Sequence, residues 1–536
     1  MPAFAVLTGP LPKAGVVVLA GLIAAALLVQ EPRARARAII GAIILAPVLL
    51  LAEIWNSPQL SFVHRHPLPA LVGGVIALAL VLGLALIMTR RPAVLPVLAV
   101  AALPFRVPIS IADRTANLLV PLYLVVASGA VALIWQALRT PAAKRPSDPA
   151  VPRSTLVPRT ARARAASSGT LRAVTGERNR ASAAWLERLL ALYIGLYAVQ
   201  AIYSPSFEAA LQNLVFFYVP FALVYLLLSR LEWTPRLIRL CFTVIVALAL
   251  VFAGIGLVEY VTKTIFLNSK LVITNDLHTY FTVNSVFFDP DIFGRFLMLV
   301  MIGLATVLMF DRRPRVQVGA TACLAALWGG LLLTLSRSSQ LALLLGLGVI
   351  AAFRWQVRRA VIVAATVVAL GAVAIAISPT TFGLNQGLNG ASSGRANLVT
   401  RGLHLFSQRP LWGYGSGSFE HEYQLHYHGP GQTLSASHTI AVTVAAEQGL
   451  IGELAYLALV IVGIILLLRG AREEPARVAV AAAFVALVFH TLLYADFLED
   501  PVTWALLAVG TALAQASASR RELPARERAR ARARAA

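Results

Sequence analysis

Apolar runs long enough to cross a bilayer recur along nearly the whole chain, and short polar segments separate them. A helix needs about 20 residues to cross the hydrocarbon core, so the pattern predicts roughly 15 spans. We therefore expect an all-α fold, a polytopic transmembrane helix bundle of about 12–15 spans with one long outward-facing loop region. The predicted spans lie near residues 15–30, 38–54, 68–88, 92–105, 118–138, 184–203, 212–229, 237–258, 291–310, 317–334, 338–355, 360–378, 440–468, 478–494 and 501–518.

Polar tracts divide these spans into groups. A tract rich in Pro, Arg, Ala and Ser after the first group has the composition of a disordered linker. The expected organisation is amino-terminal transmembrane helices (1–138), a basic disordered cytoplasmic linker (139–183), central transmembrane helices (184–377), a large outward loop (378–437), carboxy-terminal transmembrane helices (438–518) and a basic cytoplasmic tail (519–536).

The composition agrees with a membrane protein. The chain has 536 residues, of which 58% are hydrophobic, and its mean hydropathy is +0.76. A net charge of +22 is common in nucleic-acid-binding proteins, but here the arginines cluster between apolar runs, where cytoplasmic loops carry them. The charge therefore predicts the orientation of a membrane protein and no nucleic-acid partner. Two cysteines within apolar runs, Cys241 and Cys323, indicate neither a disulfide framework nor a zinc site.

Some arginines lie on the side that this topology places outside, against the orientation rule, and so need an explanation of their own. One explanation is structural, as a pair with a carboxylate such as Asp289 or Asp291 or as an interfacial anchor. The other is an outward pocket for a phosphate or diphosphate, because a guanidinium offers a charged, bidentate fork. The candidate diphosphate ligands are Arg295, Arg337, Arg395 and Arg401.

A histidine stands where the apolar run after the long loop begins. On a helix of 3.6 residues per turn, His438 shares a stripe with Val442, Ala445, Gly449 and Gly452. Small residues let a neighbouring helix approach, so we expect the stripe to face the bundle. The helix dipole there disfavours a protonated imidazole, and a neutral histidine suits a general base. The alternative is an interfacial histidine bonded to a loop carbonyl.

Further titratable residues carry weaker signals. His421, His426 and His428 in "FEHEYQLHYHGP" have a spacing that metals use, but we interpret them as a solvated loop and predict no metal site. No glycine-rich nucleotide loop is evident by eye. The roles of three carboxylates in or near spans stay open: Glu259, Glu447 and Glu453.

Together these segments resemble the O-antigen ligase and O-antigen polymerase superfamily of integral-membrane glycosyltransferases. The ligase pattern of His, an amide or serine, nine residues, Gly, two residues and Gly reads here as His438, Thr439, then Gly449 and Gly452, with threonine in the second position. Upstream, "LLTLSRSSQLAL", "SGRANLVTRGLHLFSQRPLWGYGSGSF" and "FFDPDIFGRFLML" resemble the Ser-Arg-Ser hairpin, the Gly-Arg element with its "GxGxGxF" turn, and the span-opening segment. The resemblance covers roughly residues 284–455.

The resemblance implies transfer of a glycan from a polyprenyl-diphosphate donor, such as undecaprenyl diphosphate, to a lipid- or glycan-borne hydroxyl. It implies a multi-pass protein of the inner (cytoplasmic) membrane, with its site at the outer face of that membrane, and no nucleotide, metal or other cofactor. Arg337 and Arg395 correspond by motif to the arginines that hold the diphosphate, and His438 to the histidine that takes the acceptor proton. Displacement in line would invert the anomeric centre. The motifs leave O-antigen ligase and polysaccharide polymerase open.

Two other functions remain open. A glycosyltransferase that uses a polyprenyl-monophosphate sugar would employ Asp289 or Asp291 as acid or base. A flippase or transporter of a lipid-linked anionic glycan would use the arginines as substrate contacts, and broken helices in matching halves would favour it.

Overall fold

The structure, a computed structural model, describes residues 9–55, 64–105, 107–111, 114–139, 162–266, 271–272, 275, 280–355, 358, 362, 395–427, 439–472, 474–494 and 496–522. Most of these residues are helical. The helices of the first half are α1 (Pro10–Leu28), α2 (Pro32–Ile54), α3 (Pro67–Arg90), α4 (Val94–Ala102), α5 (Val120–Arg139), α6 (Arg162–Ala201), α7 (Phe207–Asn213), a π-helical segment (Leu214–Tyr218), α8 (Val219–Ser229) and α9 (Pro235–Thr262). Those of the second half are α10 (Pro290–Phe310), α11 (Pro314–Leu333), α12 (Arg337–Arg354), α13 (Arg395–Gln408), α14 (Phe419–His426), α15 (Ile440–Leu468), α16 (Pro475–Thr491) and α17 (Pro501–Glu522).

Many helices begin at a proline. Its missing N–H would have no partner in the first turn, and its fixed φ already fits a helix, so proline marks helix starts. The sequence therefore carries its own helix boundaries. The helices that start this way are α1, α2, α3, α9, α10, α11, α16 and α17.

Eleven helices in the described part of the chain are long and apolar enough to cross a membrane, which confirms the polytopic helical bundle. They correspond to eleven of the predicted spans. The span predicted at 92–105 is wrong: it contains the nine-residue α4, about 14 Å long against a hydrocarbon core of about 30 Å. The spans predicted at 338–355 and 478–494 are α12 and α16, of 18 and 17 residues. Except for residue 362, the span predicted at 360–378 lies outside the described residues.

Two polar segments differ from expectation. The loop after α4, which the sequence predicts to face outward, contains an antiparallel hairpin, β1 (Val107–Ile111) paired with β2 (Arg114–Leu118). The basic tract expected to be disordered to residue 183 is helical from Arg162, where α6 begins, consistent with its many alanines and arginines. Residues 140–161, and the tail beyond 522, lie outside the described residues.

Two apolar cores hold the bundle together. The first contains buried residues of α1, α2, α5, α6, α8, α15 and α17, and the second joins α9, α10, α11, α12 and α16. Helix α16 contributes to both, with Phe484 in the first and Ala482 in the second. Helix α16 therefore lies where the two cores meet, and hydrogen bonds from its end and the residues that follow reach the starts of α12, α13 and α15.

Candidate functional site

Two carboxylates open helix α10. Asp289 caps the helix, because its Oδ1 accepts a hydrogen bond from the backbone N–H of Asp291 at 2.7 Å. Burial, and secondarily the charge of Asp291, raises the pKa of Asp289 to about 6. The sequence "FFDPDIFG" thus places two carboxylates at one end of the bundle, one of them with a raised pKa.

The Ser-Arg-Ser turn binds the second of these carboxylates. Ser338 Oγ donates to Asp291 Oδ1 at 3.0 Å, and Ser336 Oγ donates to the same oxygen. Ser336 also caps α12, since its Oγ accepts from the N–H of Ser339 at 3.3 Å. Ser336 therefore holds Asp291 and caps the helix with the same oxygen, and Ser338 adds a second hydrogen bond to that carboxylate.

Gly294 permits this contact. A Cβ at that position would lie 2.8 Å from Ser339 Oγ and 3.0 Å from Ser336 Cβ, inside van der Waals contact. The turn can therefore reach α10 only where α10 has no side chain. Leu335 precedes the turn with φ of 53°, a left-handed conformation that is unfavourable for leucine and is held by its surroundings.

Arg395, of the Gly-Arg element, joins the same cluster. Its Nη2 lies 3.3 Å from Asp291 Oδ2, and its Nη1 donates to the carbonyl of Leu493 at 2.9 Å. About a third of the side chain stays exposed, at 34%. Thr439 Oγ1 donates to the carbonyl of Leu492 at 3.1 Å. The Gly-Arg element and the start of α15 are thus anchored on two consecutive carbonyls.

Arg337 has a different environment. It is exposed, although the serines on either side of it are buried. Among the described residues no carboxylate lies within salt-bridge distance of Arg337. Its guanidinium is therefore accessible to an anion from outside the chain.

Arg295 is almost completely buried, at 2% exposure. Its Nη2 lies 3.3 Å from Asp500 Oδ2, its Nη1 donates to the carbonyl of Asp496 at 3.2 Å, and its guanidinium lies 5.8 Å from the ring of Tyr494. The sequence suggested Asp289 or Asp291 as partners; the ion pair instead links α10 to the segment before α17. This geometry favours a structural role for Arg295.

Arg401 joins two helices of the long loop. Its Nη1 donates to the hydroxyl of Tyr423 at 3.0 Å, and its guanidinium lies 5.0 Å from the ring of Tyr427. These contacts pack α13 against α14, with the cation on an aromatic face. Arg401 is therefore separate from the cluster around Asp291.

The loop histidines surround one acid. His421 Nδ1 and His426 Nδ1 lie 3.5 and 3.6 Å from the two carboxylate oxygens of Glu422. Within the described residues no group of three or more His, Cys, Asp or Glu side chains is arranged to hold a metal ion. His428 and His438 lie outside the described residues.

His490 is not among the site residues that the sequence predicts. It is fully buried near the end of α16, and its Nε2 lies 3.1 Å from Ser339 Oγ and 3.3 Å from Ser338 Oγ. The carboxylate of Asp291 contacts the serines and not the imidazole, so the arrangement differs from a Ser-His-Asp catalytic triad. An ionisable residue inside a predicted span was the signal that could have identified it.

The predicted helical stripe in α15 is wrong at Gly449. Gly449 has φ of 64° and ψ of −165° and interrupts the helix. A Cβ there would lie 2.4 Å from the backbone of Leu411. The N–H of Leu450 donates to the carbonyl of Pro410 at 2.7 Å, and the N–H of Gly415 donates to the carbonyl of Glu447 at 2.7 Å. A backbone segment, and not a helix, therefore approaches the glycine.

Two of the unassigned carboxylates stabilise loops. Glu447 accepts from the N–H groups of Gly417 and Phe419 at 2.9 and 3.0 Å, which fixes the glycine-rich turn and the start of α14. Glu259 is buried and accepts from the N–H groups of Ser285, Asn284 and Phe266, at 2.7, 3.2 and 3.3 Å in that order. Glu453 is half-buried, and one of its oxygens has no hydrogen-bond partner among the described residues.

Residues 321–457 match the protein-family model described as O-antigen ligase. The match covers about a quarter of the chain and confirms the resemblance to the O-antigen ligase and polymerase superfamily. It contains the Ser-Arg-Ser turn, the Gly-Arg element, the glycine-rich turn and the first part of α15. A search of curated proteins finds no significant match. The eleven candidate spans indicate a multi-pass membrane protein, and the match shows that its residues 321–457 are similar to O-antigen ligases.

Proposed function

We propose that this protein is a membrane glycosyltransferase that moves a glycan from a polyprenyl-diphosphate donor to an acceptor hydroxyl at the outer face of the cytoplasmic membrane. The observation that carries the proposal is the pair of anchors on consecutive carbonyls. Arg395 bonds to Leu493 and Thr439 to Leu492, so Arg395, the proposed diphosphate ligand, lies beside the start of the helix whose motif contains His438.

Arg337 and Arg395 supply the positive charge for a diphosphate. Arg337 is exposed, and Arg395 is partly exposed with one nitrogen on Asp291. A diphosphate accumulates negative charge as it leaves, and fixed guanidinium groups stabilise that charge in the transition state. Because Asp291 is also held by two serines, Arg395 is oriented before the substrate binds.

The proposed transfer is a single displacement. The acceptor hydroxyl oxygen attacks the anomeric carbon, and the bond from that carbon to the diphosphate oxygen breaks with its electron pair on the oxygen. The hydroxyl proton passes to the imidazole of His438, as general base. Attack in line inverts the anomeric centre. An O-antigen ligase and a polysaccharide polymerase would differ only in the acceptor.

A second candidate is a transferase that uses a polyprenyl-monophosphate sugar. The raised pKa of Asp289, about 6, favours it, because such an acid exchanges protons near neutral pH. Asp291 is less suited to act as base, since both its oxygens already accept hydrogen bonds from Ser338 or Arg395.

The transporter alternative draws on the broken helix α15. Broken helices in transporters expose backbone groups to a substrate cavity. Here the groups freed beside Gly449 bond to the backbone of residues 410–415, so the interruption is filled with protein. This contact argues against a substrate path at the break.

The test is glycan transfer from a purified polyprenyl-diphosphate oligosaccharide in nanodiscs, with a chelator present. The variants are His438→Ala and Arg337→Gln, and Arg236→Gln, which removes an exposed charge from the first turn of α9, is the control. We expect transfer by the native protein and the control, and a loss of at least about 100-fold in the other two. Equal activity of His438→Ala would shift the base to Asp289. Donor binding without transfer would support the transporter.

A further inference from the structure

A cavity of about 490 Å³ lies beside the Ser-Arg-Ser turn, within the range of about 300–1,000 Å³ typical of small-molecule sites. Aromatic side chains form much of its lining, and Tyr280 is 52% exposed there. The lining residues are Tyr260 and Lys263 at the end of α9, Asn275, Tyr280 and Phe281 in the following loop, and Leu332, Leu333 and Leu335 at the end of α11.

The walls of this cavity are fixed by hydrogen bonds. The side chain of Asn275 donates to the carbonyl of Thr282 at 3.0 Å and accepts from its N–H at 3.0 Å and from its hydroxyl at 2.8 Å. The N–H of Val283 donates to the carbonyl of Leu333 at 3.4 Å. The loop is thereby attached to the end of α11, so its aromatic residues keep their positions.

Lys263 gives the cavity a positive charge. Its ammonium lies 3.8 Å from the ring centre of Tyr260 and 4.9 Å from that of Phe281. Among the described residues no carboxylate lies within salt-bridge distance of it. Lys263 ends α9 with φ of 55°, which turns the chain at the cavity wall. An aromatic-walled cavity with one available ammonium suits an anionic group on an otherwise uncharged ring.

The cavity shares a wall with the proposed transfer site. Leu335 lines the cavity, and the next residue, Ser336, binds Asp291. Consecutive Cα atoms are about 3.8 Å apart, so a chain of sugars could extend from the exposed Arg337 into the cavity. A ligand there would lie beside the reacting centre and outside the cluster of Asp291, Arg395 and His490.

We infer that this cavity binds an acidic sugar unit of the glycan substrate, with Lys263 selecting the carboxylate and the aromatic residues holding the ring. The inference rests on the proposed function and adds the charge of the substrate to it. An anionic lipid headgroup has the same charge chemistry. The position next to the Ser-Arg-Ser turn favours the sugar, because that turn carries the arginine proposed to hold the donor.

The experiment compares two substrates that differ at one carboxyl group: a polyprenyl-diphosphate oligosaccharide with a uronic acid, and its methyl ester, in which the sugar is uncharged and the diphosphate unchanged. Transfer is measured as kcat/KM in nanodiscs of neutral lipid for the native protein, Lys263→Gln and Lys263→Glu, with Arg236→Gln as control. Binding of the lipid-free acidic oligosaccharide and its ester is measured separately by calorimetry. Tyr280→Ala tests the aromatic wall.

We expect the native protein and the control to prefer the acid by about tenfold, which corresponds to about 1.4 kcal/mol. Lys263→Gln should show no preference, Lys263→Glu should prefer the ester, and Tyr280→Ala should weaken both substrates equally. An unchanged preference in Lys263→Gln overturns the inference, as does an effect of Lys263 that needs anionic lipid whatever the sugar. Acid-selective binding without transfer would overturn the proposed function and leave the acidic-sugar site standing.

Discussion

Variants of the buried ion pair between Arg295 and Asp500 distinguish two roles for Arg295, that of a diphosphate ligand and that of a structural link. Their side chains are 2% and 6% exposed and lie 3.3 Å apart. The perturbation is a set of three variants, Arg295→Met, Asp500→Leu and the two combined. Each single variant leaves one charge buried without its ion-pair partner, while the double variant leaves none.

The magnitudes follow from these contacts. Breaking a buried ion pair by removing one partner costs about 3–5 kcal/mol, whereas replacing both partners by apolar residues is often neutral. Arg295 also donates to the carbonyl of Asp496 at 3.2 Å, and losing that bond costs about 1 kcal/mol. We therefore expect each single variant to lose about 3–5 kcal/mol of unfolding free energy, and the double variant about 1 kcal/mol.

The assay is thermal unfolding in nanodiscs at a fixed scan rate, with glycan transfer measured on the same samples. A structural link predicts that the double variant recovers most of the stability and also most of the transfer. A double variant that is stable but inactive would refute the structural role of Arg295 and restore its predicted role as a diphosphate ligand. A double variant no more stable than either single one would contradict the ion pair itself.

Three further predictions use the same preparations. Gly449→Ala should lower the thermal midpoint, because φ is 64° and a Cβ would lie 2.4 Å from the backbone of Leu411, at a cost of about 1–3 kcal/mol. The control is Gly348→Ala, which has open space around it and should be neutral or slightly stabilising. The pKa of Asp289 is raised to about 6 in the folded state, so its protonated form stabilises the fold below about pH 4, and that contribution is lost as the pH rises through 6. The thermal midpoints of the native protein and of Asp289→Asn, measured across this pH range, should therefore diverge. Midpoints that change in parallel would contradict the raised pKa. Arg395→Gln should lower kcat/KM for transfer by about 100-fold or more, and Arg401→Gln by less than about tenfold because its guanidinium packs on aromatic rings; equal losses would assign both to the donor.

The sequence predicts the architecture well where one signal dominates. Long apolar runs and their opening prolines identify most spans, because crossing a bilayer requires a helix of known length. The run at 92–105 was misassigned because a hydropathy pattern does not show where a helix ends: α4 stops at Ala102 and a hairpin follows. The start of α6 at Arg162 does not follow from the sequence, because the composition of the basic tract resembles that of a disordered linker and does not show that the helix of the next span extends into it.

The site is predictable in part. Arg337 and Arg395 stand out because they are positive charges on the side that the predicted topology places outside, against the orientation rule. The segment from His490 to Asp500 does not stand out, although its carbonyls anchor Arg395 and Thr439 and its last acid pairs with Arg295. Its contribution is made mostly by backbone atoms, which every residue has, so sequence patterns carry little trace of it.

In the structure, the two glycines of the motif do not serve to let a neighbouring helix approach. We interpreted Gly449 and Gly452 as small residues that let a helix approach, but Gly449 is a backbone junction with Leu411, and a Cβ at Gly452 would lie 2.1 Å from Cβ of Gln448. The nine residues from Ile440 to Gln448 form the helix before that junction, about 14 Å long at 1.5 Å per residue. The glycines therefore fix where α15 can break, and the break is bonded to residues 410–415. The start of α15 is bonded to Leu492, so the length of helix between start and break must match the distance between these two contacts. On this view the motif spacing is the distance between two hydrogen-bonded anchors, Thr439 on Leu492 and the break on residues 410–415, and both glycines stand where a Cβ would clash.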